Sequence, residues 1–317
     1  MAEAVGRPRV RASRALFGVL LAVSACALAS SQRDWRWVVT GEPALRDLVQ
    51  VGAFADPRLR EASGSVPSER EPGVFWSQND SGNDAVLFAY DSAGTSRGSV
   101  IVTGAKNTDW EAVAPGPCPA GRCLYIGDVG DNFAVRRSVS VLRVPAPITS
   151  DSRTEAAQRL RVRYAGGATD VEAMWVAPDS SIWFATKRPA SGSAGRARPS
   201  RLYRVSSPDW SGDRTARAEL VDSLPIVPVR STVRDWVTDA ALSPAGADGR
   251  RRLAVLTYGS VYVFDADPNT GRPGAQLARC AVPLWEAQAE GISWLPDGRL
   301  LLVNEGRGGR LYAGRCP

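Results

Sequence analysis

Thr108-Asp109-Trp110-Glu111-Ala112-Val113 and Thr169-Asp170-Val171-Glu172-Ala173-Met174 are two copies of one pattern, an acid set against the start of a short apolar run. Weaker copies are Val237-Thr238-Asp239-Ala240-Ala241-Leu242 and Gln288-Ala289-Glu290-Gly291-Ile292, with Leu59-Arg60-Glu61-Ala62-Ser63 as a first. With Glu61, Glu111, Glu172, Asp239 and Glu290 as markers, the intervals are 50, 61, 67 and 51 residues. That period suits a repeat architecture whose unit is one four-stranded propeller blade with variable loops.

Each marker is followed by strand-like runs rich in β-branched and aromatic residues, separated by Gly, Pro, Asp or Ser turns. Second runs include Leu124-Tyr125-Ile126, Ile182-Trp183-Phe184 and Leu300-Leu301-Leu302-Val303, and third runs include Val86-Leu87-Phe88-Ala89-Tyr90 and Val261-Tyr262-Val263-Phe264. No segment of ten or more residues carries helical periodicity. The pattern predicts an all-β fold, a β-propeller of five four-stranded blades, and the 61- and 67-residue intervals leave room for a sixth. The fifth unit reaches Pro317 without a fourth strand, so a strand over residues 48–54 is expected to close the ring and remove the exposed edge. Residues 189–200, rich in Ser, Gly, Ala and Arg, read as an inter-strand loop.

The first 29 residues have the order of a secretory signal: Arg7, Arg9, Arg11 and Arg14, an apolar run too short to span a bilayer, then small residues. Val23-Ser24-Ala25-Cys26 resembles a lipobox, with Cys26 as the lipidated residue, while Ala27-Leu28-Ala29 offers ordinary cleavage. Both remain open. The expected division is therefore signal peptide 1–29, linker 30–44 and propeller 45–317, in an extracellular or cell-envelope protein. Membrane contact is expected only through the lipid anchor. The other four cysteines fall into local pairs, Cys118 with Cys123 and Cys280 with Cys316, and an oxidising compartment favours disulfides over zinc.

A composition of 44% hydrophobic and 23% charged residues supports a large buried core. The net charge of +6 owes +3 to the leader, its four Arg set against Glu3, and the remaining basic residues are scattered. No nucleic-acid stripe results, and a monomer is expected. The chain has no histidine. That excludes Ser-His-Asp and Cys-His nucleophile chemistry and leaves carboxylates, Tyr, Lys or an oxygen-bound metal. Gly94-Thr95-Ser96-Arg97-Gly98 matches G-x-S-x-G but lies between two strand-like runs, so it reads as a hairpin turn.

Ala289-Glu290-Gly291-Ile292-Ser293-Trp294-Leu295-Pro296-Asp297-Gly298-Arg299-Leu300, followed by Val303-Asn304-Glu305, resembles blades of the gluconolactonase/regucalcin group and of the secreted SdiA-regulated and phytase-like propellers. The resemblance implies a propeller whose funnel holds calcium through acidic and amide side chains. Carried over by position, it implies Glu61, Glu111, Glu172, Glu290 and Asn304, with Asp239 departing from the Glu pattern. It does not establish lactonase activity.

The residues point to the same place by charge alone, since one acid per repeat becomes a ring of mutually repelling carboxylates. A hard cation with oxygen ligands would neutralise it, and calcium tolerates irregular coordination. Asp80, Asp128 and Asn304-Glu305 at second-strand exits add oxygens. The competing reading has these acids capping strands through backbone N–H bonds. The loops Asn79-Asp80-Ser81-Gly82-Asn83-Asp84 and Gly127-Asp128-Val129-Gly130-Asp131-Asn132 should share one face, as a ligand mouth or as simple turns. Asp265 to Gly271 reads as a hairpin turn rather than a calcium loop. Trp175, Trp183 and Trp294 read as core, whereas Trp110 and Trp236, beside the acids, read as core or as a stacking platform. The functional expectation is a calcium-dependent propeller that binds or hydrolyses a small molecule (an ester, lactone or phosphate). The alternative is a non-catalytic envelope module that binds a protein or glycan.

Overall fold

A computed structural model of the chain describes residues 43–187, 198–212, 214–228, 233–282 and 288–316. The expected leader with Cys26, nearly all of the 30–44 linker and most of the 189–200 loop lie outside the described residues.

Among the described residues, all twenty elements are strands. Strand β1 (Arg46–Ala53) is followed by four meanders of four strands each. The first is β2 (Ala62–Pro67), β3 (Val74–Asn79), β4 (Val86–Asp91) and β5 (Ser96–Ile101). Next come β6 (Trp110–Cys118), β7 (Gly121–Asp128), β8 (Val139–Pro145) and β9 (Gln158–Tyr164). Strands β10 (Val171–Val176), β11 (Ile182–Thr186), β12 (Arg201–Val205) and β13 (Thr215–Ser223) follow, then β14 (Val237–Leu242), β15 (Arg251–Thr257), β16 (Ser260–Ala266) and β17 (Pro273–Ala281). The last unit is β18 (Ala289–Trp294), β19 (Leu300–Asn304) and β20 (Arg310–Arg315), and β1 pairs antiparallel with β20 to complete it.

The first strands of the units pack against one another in a closed ring, β2 on β6, β6 on β10, β10 on β14, β14 on β18 and β18 on β2. This is the layout of a β-propeller. One feature departs from independent sheets: β9 and β13, the outermost strands of their units, pair in parallel, which merges two meanders into a single eight-stranded sheet.

Burial follows position in the unit. The first strand β10, Val-Glu-Ala-Met-Trp-Val, is buried throughout because neighbouring units cover both its faces. In outer β9 only Leu160, Val162 and Tyr164 are buried, and the Arg and Gln between them are solvated. Trp175 and Trp183 stack with centroids 5.9 Å apart and planes at 1°. Trp110 is fully buried in the core between the first two meanders. The G-x-S-x-G segment begins in the β4–β5 turn, with Gly94 at φ +83°, and runs into β5 from Ser96. The 265–271 segment is likewise a turn, in which Asp267 Oδ1 accepts N–H bonds from Asn269 and Thr270.

Both expected disulfides are present. Cys118–Cys123 closes the β6–β7 hairpin, and Cys280–Cys316 ties β17 to the end of the chain beyond β20. The second closes the longer loop, 36 residues against 5 in sequence separation. Its loss should cost about 3–4 kcal/mol in the chain-entropy account, against about 2 kcal/mol for the hairpin bond. Urea unfolding of the two double-Ser variants should therefore rank Cys280→Ser/Cys316→Ser as clearly the less stable.

Candidate functional site

The site follows from where strand pairing slips. In each unit the last residue of the second strand faces one residue of the first: Asn79 with Ala62, Asp128 with Trp110, Thr186 with Val171, Thr257 with Val237 and Asn304 with Ala289. In β6, β10, β14 and β18 the next residue is skipped by the pairing. The skipped residues are Glu111, Glu172, Thr238 and Glu290. An unpaired bulge residue re-aims its side chain, which is why bulges recur beside functional sites. In β2 the irregularity comes one step later, after Ser63, which occupies the corresponding position.

This register aligns three tiers at one end of the ring. Ser63, Glu111, Glu172, Thr238 and Glu290 form the first. The residues just before the facing pair are Glu61, Asp109, Asp170, Trp236 and Gln288. Those just after the second strand are Asp80, Val129, Lys187, Tyr258 and Glu305. Backbone bonds join the last two tiers: Asp80 N–H to Glu61 C=O, Lys187 to Asp170, Tyr258 to Trp236 and Glu305 to Gln288.

The predicted ligands separate accordingly. Asp80 and Glu111 meet Asp109, with one carboxylate oxygen from each lying within 4.8 Å of the others. Asn107 makes that meeting possible, because its Nδ2 donates to the carbonyls of Asn79 and Asp80 while its Oδ1 accepts Trp110 N–H. Gly130 leaves the room: a Cβ there would lie 2.5–2.7 Å from Asp109 and Glu111 atoms. Across the site, Glu172 is ion-paired with Lys187, and Glu290 accepts bonds from Tyr258 Oη (2.8 Å) and Gln288 Nε2 (3.1 Å). Glu172 Oε2 is buried without a hydrogen-bond partner.

The other predicted residues serve differently. Asp239 stands at the position of Ala112, one place beyond the bulge, and Thr238 holds the place the repeat assigned to it. Its oxygens accept Ala240 N–H (2.7 Å) and Ile292 N–H (2.8 Å), bracing β14 to β18. Thr238 donates to Ala289 C=O, as Ser63 does to Glu111 C=O. Asp128 accepts Asp109 N–H and pairs with Arg136. Glu61 lies in the tier of Asp109 and accepts from Asn83 Nδ2 at 2.6 Å. Asn304 is buried at the end of β19. Asp109, Asn107, Lys187 and Tyr258 were not singled out as site residues. The signal for Asp109 stood inside the repeat itself, as Thr-Asp-x-Glu at 108–111 and 169–172.

Burial raises several of these carboxyls. Asp109 is pushed up to about 6, chiefly by desolvation and then by the charge of Asp80. Glu111 is raised well above its ordinary value by burial and then by Glu172, and Asp80 is raised mainly by burial. Glu290 reaches about 7 through burial, although Lys187 and the Tyr258 bond oppose the shift. Glu172 is also raised by burial, with Lys187 opposing. Thus Lys187 balances one half of the site, while the Asp80–Asp109–Glu111 half holds three close carboxyls whose full ionisation calls for a cation.

No protein-family model matches the chain, and no curated protein matches it. Solved structures similar to it include a glucose dehydrogenase, at 12% identity over 84% of this chain and 99% of that one, with a TM-score of 0.48. The PQQ-bound aldose sugar dehydrogenase of Streptomyces coelicolor is 14% identical over 87% and 100%, with a TM-score of 0.46. A gluconolactonase of Xanthomonas campestris is 15% identical over 87% and 88%, with a TM-score of 0.42. The likeness is one of layout.

Raised carboxyls fix the sign of the pH dependence. Between the ordinary 4.5 and about 7, folded Glu290 keeps a proton that the unfolded chain has lost, and Asp109 does so between 3.8 and about 6. Stability from these groups is full below the lower values and is lost as pH rises through the higher ones. In chelator, the urea midpoint should fall from pH 5 to 7.5, and Glu290→Gln should make the fall above pH 6 shallower. A midpoint that rises across the window would contradict this electrostatic picture.

Proposed function

We propose that the chain is an exported five-bladed propeller whose acidic end binds a divalent cation, calcium by the character of its ligands, and with it a small oxygen-rich ligand. Five blades follow if the eight-stranded sheet is read as two blades sharing their outer edges and β1 as the closing strand. The mature domain is then residues 45–317, a monomer freed from or anchored through the 1–29 leader. Its disulfides suit an oxidising compartment.

The observation that carries the cation reading is the convergence of Asp80, Asp109 and Glu111 beside Gly130, whose missing side chain leaves space against two of the three. Three hard oxygen donors of this kind suit calcium. The wider predicted set of Glu61, Asp128, Glu172, Asp239, Glu290 and Asn304 is proposed to surround this cluster, supplying charge and bracing. A bound divalent cation supplies Lewis acidity toward an ester or phosphoryl oxygen. On the chain's own side, Glu290 titrates near neutrality beside Tyr258 and is suited to hold or release a proton at the ligand. Lys187, over the rings of Trp236 and Tyr258, places a positive charge to orient an anionic group.

A second reading, a non-catalytic module for a protein or glycan, draws support from Phe133 and Val135. They stand 87% and 72% exposed on the loop that leaves the same end of β7.

Melting of residues 45–317 in chelator and in excess calcium separates the readings. Saturation at about 100 times Kd adds about 2.7 kcal/mol, or roughly 5–10 °C for a domain of this size. Asp109→Asn and Glu111→Gln should abolish that shift. Asp239→Asn should lower the melting temperature while leaving the shift intact. No shift in the wild type, with ligand capture lost in Phe133→Ser/Val135→Ser, would favour the module.

A further inference from the structure

The ring has a second end, chemically opposite to the first. Where the first strands finish, a cavity of about 570 Å³ opens, within the range of roughly 300–1,000 Å³ that suits small ligands. All five first strands contribute to it, Pro67, Pro115, Val176, Leu242 and Trp294 among them. Prolines offer no N–H. The two indoles on the wall have already spent theirs, Trp175 Nε1 on Gly271 C=O (3.0 Å) and Trp294 Nε1 on Ala241 C=O (2.9 Å). The wall is therefore apolar and poor in donors.

Charge enters through Glu69, Arg122 and Arg251. Glu69 is occupied by Arg122, whose Nε lies 2.7 Å from its Oε2. Arg251 is different. Its Nη1 donates to Ser243 C=O (2.7 Å) and its Nε to Pro268 C=O (3.1 Å), so it is held by neutral oxygens. Among the described residues it has no carboxylate partner. Burial, and then the positive charge of Arg122, press its pKa downward. Buried Ser65 and Ser293, hydrogen-bonded to each other at 2.6 Å, and the Asp239 brace lie between this cavity and the acidic tiers, so the two ends are separate sites.

We propose that this cavity binds a soluble single-chain amphiphilic carboxylate, its apolar body among the strand ends and its carboxylate on Arg251. Charge complementarity selects the occupant. A neutral apolar molecule leaves Arg251 unpaired, and a multiply charged polar anion cannot satisfy the donor-poor wall.

Calorimetric titration of the intact mature chain with decanoate tests it, with decanol as the neutral analogue and inorganic phosphate as the bare anion. Decanoate should bind, shifting the emission of Trp175 and Trp294. Decanol should bind at least tenfold more weakly and phosphate not measurably. Arg251→Gln, a change at a partly exposed side chain, should weaken decanoate at least tenfold and leave the calcium response unaltered. Absence of decanoate binding, equal binding of decanol, or undiminished affinity in Arg251→Gln would each overturn the proposal. Binding to phosphatidylglycerol vesicles with no binding of free decanoate would also overturn it, in favour of a membrane-docking face.

Discussion

The slip in strand pairing at the head of each first strand is the constraint on which the site depends. A regular antiparallel ladder alternates its side chains between the two faces. One unpaired residue breaks that alternation and presents a side chain where the ladder would otherwise hide it. Repeated at one height around a closed ring, the slip turns a local irregularity into a set of facing groups. Glu111, Glu172 and Glu290 occupy that position, and Ser63 and Thr238 fill it where a hydroxyl instead bonds to the next unit. The gathering of acids at one end and the adhesion of one unit to the next are thus two uses of one backbone feature.

Electrostatics then divides what the backbone gathers. Five acids, one from each repeat, would be unstable together in a desolvated end of a ring. The chain resolves this unevenly. Lys187 sits against Glu172 and near Glu290, Asp239 is turned into backbone amides, and Glu61 faces an amide nitrogen. The acids left close to one another are Asp80, Asp109 and Glu111. Under the proposed function, an asymmetric arrangement of this kind would separate a place for a cation from a place for proton transfer, which a uniform ring would not do.

Much of the fold was legible because strand runs and turns are local. Val261-Tyr262-Val263-Phe264 and the Gly94 turn identify themselves from composition, and the closing strand, expected over 48–54, is found at Arg46–Ala53. The parallel join of β9 to β13 was not legible, since it depends on how two outer edges meet in space. At the site, the recurring Glu marked the correct height in β6, β10 and β18. It failed at Asp239, because adjacent Thr238 and Asp239 look equivalent in sequence and only the pairing shows which is skipped. Lys187 and Asn107 were missed for a related reason. They come from neighbouring loops and strand exits, and nothing in their own surroundings announces the acids they serve.

Under the proposed function, the Asp80–Asp109–Glu111 cluster exchanges protons for a divalent cation. Calorimetric titration of calcium at pH 6, in two buffers of different ionisation enthalpy, measures both events at once. About one ion per chain is expected, bound with release of protons from carboxyls that burial holds protonated. Binding with no proton release, or no binding at all, would contradict it.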